Sequence, residues 1–143
     1  MSTVYSTDFT KNGQTKLLRV GVIGVGNMGQ HHTRVLSLLK DTKLVGVADI
    51  NVERGLDTAS KYGIRFFEEY QELLPHVDAV CVAVPTLQHY AVGMTCLKAG
   101  VHVLMEKPIA ASIAEAEFLV NNAAKTNRIL QVGHIERFNP AFQ

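Results

Sequence analysis

From Leu17 onward, apolar runs alternate with amphipathic ones, and the two periods are those of buried strands and of helices. "LLRVGVIG" (17–24) predicts a strand, and "NMGQHHTRVLSLL" a helix with Met28, Val35, Leu36 and Leu39 on its apolar face. "LVGVAD" (44–49) predicts a second strand. Asn51 can cap a helix reaching Tyr62, with Gly63 at its left-handed end. "RFF" predicts a short third strand, and residues 68–74 a brief helix stopped by Pro75. "AVCVAV" (79–84) is a fourth strand, followed by a helix capped by Thr86 that runs to Lys98 and ends at Gly100. "VHVLMEK" is a fifth strand. Ser112 and Glu115 form a capping box for a helix to about Thr126, and "ILQVGHIE" (129–136) is a sixth strand.

Strands that are apolar on both sides and alternate with helices belong to a parallel sheet covered on both faces. The expected class is therefore α/β, a doubly wound Rossmann sheet over residues 17–139. The first sixteen residues are polar, lack the apolar stretch of a signal peptide, and read as a flexible tail.

The first strand-to-helix junction carries candidate chemistry. "GVGNMG" sets Gly24, Gly26 and Gly29 between a strand and a helix, and Asp49 ends the next strand. This is the dinucleotide-binding arrangement. The first glycine makes the turn, the second lets a diphosphate approach the backbone, and the third lets helix and strand pack closely. The amides from Val25 through Asn27 to Met28 would face the phosphates, helped by the positive end of the helix dipole. Asp49 can accept hydrogen bonds from ribose hydroxyls and would repel a 2′-phosphate, so NAD is expected over NADP. Arg54 reads as a solvated helix residue.

Composition narrows the class without adding chemistry. A chain of 143 residues suits one domain, and 47% hydrophobic with 19% charged residues is ordinary for a globular protein. The net charge of +1 and the lack of a basic block argue against nucleic acid or an anionic membrane as partner. Cys81 and Cys96 sit in apolar segments outside any CxxC pair, as reduced core thiols of a cytoplasmic protein would. His31 and His32 are neighbours on a helix and point apart, so no metal site is expected there. Met28, Met94 and Met105 read as core residues.

Ligands of an open parallel sheet sit at the carboxyl ends of its strands. Polar residues gather at those ends: the glycine loop, Asp49, "PTLQH" with Pro85, Thr86 and His89, then Glu106–Lys107–Pro108, and finally His134, Glu136 and Arg137. Two opposite charges could not lie in a strand core without heavy desolvation costs. At the mouth of the sheet, Glu106 and Lys107 can meet cofactor and water.

Together "GVIGVGNMGQHH", "GVADI", "VAVPTLQHY", "HVLMEKPIA" and "VGHIERFNP" resemble the N-terminal domain of the Gfo/Idh/MocA oxidoreductases. The ending "GHIERFNPAF" is most similar to the branch with UDP-N-acetylglucosamine 3-dehydrogenases and related nucleotide-sugar enzymes. The resemblance implies NAD-dependent hydride transfer to or from a sugar or nucleotide-sugar hydroxyl or ketone. It implies Lys107 as the catalytic ammonium, Glu106 on the nicotinamide-ribose side, and Pro85, Thr86 and His89 along the dinucleotide. His134 and Arg137 would lie at a junction or substrate position, and the peptide before Pro108 would be cis. The family's C-terminal substrate domain, with its remaining catalytic residues and oligomer interface, is absent, and residues 140–143 would be its start. The full-length protein is expected to be a homo-oligomer, and this chain alone inactive. Alternatives are a non-catalytic dinucleotide-binding or regulatory module, or another chemistry of the family such as biliverdin reduction or NAD-dependent glycoside hydrolysis.

Overall fold

A computed structural model of the chain describes residues 10–11 and 14–142. Most of the expected tail lies outside the described residues. Within it, Thr10–Lys11 and Gln14–Thr15 pair as a small antiparallel ribbon.

Six strands form one parallel sheet: β1 (Leu18–Ile23), β2 (Thr42–Ala48), β3 (Arg65–Phe67), β4 (Ala79–Val82), β5 (His102–Met105) and β6 (Leu130–Val132). Their spatial order is β3-β2-β1-β4-β5-β6. Between them run α1 (Asn27–Leu38), α2 (Val52–Tyr62), α3 (Tyr70–Leu73), α4 (Thr86–Lys98) and α5 (Ile113–Thr126). This is the doubly wound Rossmann order, in which the connection reverses direction across the β1–β4 boundary and leaves a crevice there.

Alternation along the strands builds two cores. Val22, Val47 and Cys81 pack with Val25, Ala59 and Leu36 under α1 and α2. Val80, Val82 and Met105 face the other way and pack with Val92, Leu97 and Leu119 under α4 and α5. Burial pushes the thiols of Cys81 and Cys96 up to about 12, so both stay protonated. At the amino end of the sheet, Arg19 grips Asp78 through Nε at 3.1 Å and Nη2 at 2.7 Å, tying β1 to the start of β4.

Helix ends follow local chemistry. The Asn51 side chain accepts from the Arg54 amide, and Gly63 at φ 62° closes α2. Ser112 accepts from the Glu115 amide, but the Glu115 carboxylate reaches back to the Ala111 amide rather than to that of Ser112.

Five expectations change. Met28, Val35 and Leu39 do not face the core: they are exposed, and α1 turns Gly29, Thr33 and Leu36 inward instead. Close packing of the helix selects small residues there, and Thr33 satisfies its hydroxyl on the Gly29 carbonyl at 2.7 Å. Pro75 does not stop a helix. It sits in the first turn of a 3₁₀ segment, Leu74–His76, where a missing N–H costs nothing. Thr86 does not cap α4; Pro85 holds the cap position and Thr86 is the first helical residue. The fourth strand stops at Val82. The sixth strand ends at Val132, because after Gly133 N–H donates to the Met105 carbonyl the chain folds on itself into the 3₁₀ turn Ile135–Phe138.

Candidate functional site

The glycine loop leaves β1 and enters α1 at the crevice. Gly24 has φ +85°, and a Cβ there would stand 2.8 Å from the Ala83 carbonyl oxygen, so the turn admits no larger residue. A Cβ at Gly29 would overlap the Gly24 carbonyl, which is how closely α1 lies on the loop. Gly26 differs: a Cβ there meets nothing within 4 Å and would project into open space. Gly26 is also the N-cap of α1 and offers no side chain to its opening amides. Those amides have no partner within the helix and carry the positive end of its dipole. A backbone cradle without a side chain, open only at Gly26, fits a diphosphate.

Asp49 lies beside this cradle and is buried, its side chain only 2% exposed. Oδ2 accepts from the Val25 amide at 2.8 Å and Oδ1 from the Asn51 amide at 2.7 Å. Arg54 adds a bidentate grip, Nη2 at 2.8 Å from Oδ1 and Nε at 3.2 Å from Oδ2. Burial alone would raise the Asp49 pKa. Arg54 and the two amides outweigh it and hold the carboxyl below its ordinary range. Two expectations are corrected here. The Val25 amide is not a bare donor, because Asp49 already uses it and the Val25 side chain is buried. Arg54 is not a merely solvated helix residue but the ion partner of Asp49.

A cleft of ≈ 540 Å³ runs along the carboxyl edge here. Gly24, Gly26, Asn27 and Met28 form one wall, with Asp49 and Arg54 at its end. Pro85 and Gln88, opening α4, face them across the switch point. Met28 is thus a cleft residue rather than core, whereas Met105 is fully buried and Met94 half-buried against the core. Glu68, Glu69 and Tyr70, which follow β3, also line the cleft and were missed. The rule that ligands gather at strand ends should have found them, since β3 ends at this same edge.

The other expected residues fall outside that cleft. Val25 and Gly29 are buried. His89 is 1% exposed, and both ring nitrogens face backbone carbonyls, Nδ1 at 2.7 Å from Pro108 O and Nε2 at 2.8 Å from Val84 O. It therefore has no ring nitrogen free for a ligand, and Thr86 does not line the cleft. At the end of β5, Glu106 is buried and Lys107 exposed, and the Lys107–Pro108 peptide is cis. Glu106 Oε1 meets His32 Nε2 at 2.7 Å, and Oε2 accepts from the Lys107 amide at 3.2 Å. Periodicity gave no sign of this pairing of His32. His134 and Arg137 are exposed in the turn after β6.

Known proteins resemble this chain in sequence and fold. Residues 18–134 match the family model described as "Oxidoreductase family, NAD-binding Rossmann fold". UDP-N-acetylglucosamine 3-dehydrogenase from Acidithiobacillus ferrooxidans is 40% identical over 126 residues, which are 88% of this chain and 40% of that protein. Its solved structure superposes with a TM-score of 0.84, covering 88% of this chain and 41% of that one. Inositol 2-dehydrogenase 1 of Saccharopolyspora erythraea is 37% identical, over 87% of this chain and 39% of that protein. A Lactobacillus casei scyllo-inositol dehydrogenase solved with NAD(H) and scyllo-inositol is 26% identical, with a TM-score of 0.83 over 89% of this chain and 39% of that one. The chain thus spans well under half the length of these relatives. With residues 18–134 matched to that model, a span that holds the glycine loop, Asp49 and the Glu106–Lys107–Pro108 turn, the chain belongs to the Gfo/Idh/MocA oxidoreductase family through its NAD-binding Rossmann module.

Proposed function

We propose that this chain is the cofactor-binding part of an NAD-dependent dehydrogenase acting on a sugar or nucleotide-sugar hydroxyl. The observation that carries this reading is the open backbone at Gly26 beside the buried Asp49 carboxylate. The amides at the head of α1 would hold the diphosphate. Asp49, kept ionised by Arg54, would accept from the adenosine ribose. NAD is favoured over NADP because the acid stands where a 2′-phosphate would lie, although Arg54 softens that exclusion.

Bound NAD would supply a hydride acceptor at nicotinamide C4. Lys107, exposed at the rim, would do the protein's share of the chemistry. In carbonyl reduction its ammonium donates a hydrogen bond to the carbonyl oxygen and passes a proton to it as the hydride reaches carbon. In alcohol oxidation the same side chain, as the neutral amine, would take up the hydroxyl proton. The two relatives described as a UDP-N-acetylglucosamine dehydrogenase and an inositol dehydrogenase favour a polyhydroxylated ring as substrate. The nucleotide-sugar class is the narrower choice, supported by the higher identity to the former. His134 and Arg137 lie on exposed turn backbone, suited to contacts with substrate or with further parts of the protein, and a homo-oligomer is the expected assembly.

The test uses the complete protein that contains this chain, supplied with NAD⁺ or NADP⁺ and a panel of UDP-sugars, inositols and free sugars. NADH formation with a UDP-sugar, lost in Lys107→Met, is expected. Turnover that survives Lys107→Met would remove the lysine from its role, and turnover of inositols alone would overturn the nucleotide-sugar choice.

A further inference from the structure

Lys107 itself is exposed, yet the backbone on both sides of it is held by groups that the binding site does not use. On one side, the Lys107 amide donates to Glu106 Oε2 at 3.2 Å, and the other Glu106 oxygen is held by His32 of α1 at 2.7 Å. Glu106 is also boxed in by Gly133: a Cβ added there would stand 3.2 Å from Oε1. On the other side, His89 of α4 faces the Pro108 carbonyl at 2.7 Å. The two helices lie on opposite faces of the sheet.

We infer that His32 and His89 are positioning residues that clamp the Lys107 turn from the two faces of the sheet, His32 through Glu106 and His89 through the Pro108 carbonyl. This rests on Lys107 having the role proposed above. It goes further by naming what aims the lysine.

The His89 arm has a chemical signature. A neutral imidazole has one N–H donor, and carbonyl oxygens only accept. With Val84 O and Pro108 O both within hydrogen-bond range, the ring makes both bonds only when both nitrogens carry hydrogen. A ring with a single N–H can hold only one of the two carbonyls and points an acceptor lone pair at the other. The charged groups on the elements around the ring are Lys98 of α4, Glu106 and Lys107 of the turn, and Glu115, Glu117 and Lys125 of α5. None of the carboxylates pairs with it: Glu106 holds His32 and Lys107, and Glu115 holds the Ala111 amide. The ring's polar contacts are thus with backbone carbonyls, one of them in the turn that carries Lys107, rather than with a counter-ion.

The His32 arm has a different signature. Any donor that reaches Glu106 serves, so glutamine should replace the histidine and leucine should not.

The experiment is NMR on the unliganded chain labelled with ¹⁵N, followed by NADH titration of the same samples. In His89→Phe, which makes neither bond, the amides of Lys107 and Ile109, which flank Pro108, are expected to shift, and in His89→Gln, whose side-chain N–H can still donate to one carbonyl, they should stay nearer wild type. At fixed pH, hydrogen exchange at the Lys107 amide should quicken about five- to tenfold in His32→Leu and stay near wild type in His32→Gln, as loss of one buried hydrogen bond requires. A folded His89→Phe variant whose Lys107 and Ile109 amides keep their wild-type positions overturns the clamp. So does a His32→Leu variant, folded by its remaining spectrum, with unchanged exchange at Lys107. If the amides respond but wild-type chain binds no NADH, the proposed function fails and the clamp stands. If NADH binds and the amides are silent, the reverse holds.

Discussion

Gly26→Ala separates binding from folding more sharply than any other change in the loop. The added Cβ meets nothing within 4 Å, and the backbone at φ −68° suits alanine. Alanine is a poorer N-cap than glycine by roughly 0.5–1 kcal/mol, and the lost freedom of the unfolded chain returns about the same amount. Thermal unfolding should therefore shift by only a few degrees. Binding is another matter. The methyl stands in the cradle and holds a diphosphate roughly one bond length away from amides it would otherwise touch. Losing one or two charge-assisted hydrogen bonds at about 1.5–3 kcal/mol each weakens NADH binding by at least ~10-fold and up to several hundredfold. Calorimetric titration with NADH, beside a melting curve, reads both quantities. Gly24→Ala is the control with the opposite profile, because φ +85° and the Ala83 carbonyl oppose its Cβ and the fold itself should suffer. Gly26→Ala with wild-type stability and wild-type affinity would refute the cradle.

Arg54→Met should open an acceptor position on each Asp49 oxygen, the Val25 and Asn51 amides keeping theirs, and remove a cation near the ribose, raising the ratio of NADH to NADPH affinity about fivefold or more; an unchanged ratio in competitive titration would show that Arg54 has no say in cofactor choice. Asp78 is held below the ordinary carboxylate range chiefly by Arg19, and Asp49 also lies below it, Arg54 and two amides overcoming the effect of burial. Because both folded values are depressed, the unfolded chain binds more protons, so stability present above about pH 5 should drain away as pH falls through the folded values, measured by urea unfolding across pH. Arg19→Met should remove most of the Asp78 share of that slope, the Arg19 backbone amide at 2.9 Å from Oδ2 keeping the remainder, and leave the rest. Cys81 and Cys96, with thiols pushed up to about 12, should resist alkylation at mildly alkaline pH until the chain is unfolded, and labelling of folded protein at the rate of a free thiol would contradict their burial.

The parts of this molecule legible in its sequence are those set by near neighbours. The Asn51 cap, the left-handed Gly63, the "RFF" strand and the glycine turn each depend on a few adjacent residues, and all appear where spacing puts them. What escaped depends on contacts across elements. The apolar row Met28, Val35 and Leu39 looks like a buried face, but the intimate contact of Gly29 with Gly24 rotates the small residues inward. Asp49 and Arg54 pair across a strand-to-helix turn, a spacing with no periodic signature. His32 finds Glu106 74 residues away, and His89 finds Pro108 nineteen residues on; only the register of β4 and β5 brings them together. The glycine motif therefore marked the candidate cleft, while the contacts of His32 and His89 behind the Lys107 turn were visible only in three dimensions.

The most direct measurement is an NADH titration of the wild-type chain followed residue by residue through its amide resonances. Saturable binding should move Gly26, Asn27, Met28 and Asp49 together, with smaller shifts at Pro85's neighbour Thr86. A folded chain whose glycine-loop amides stay still while millimolar NADH is added would contradict the dinucleotide site outright.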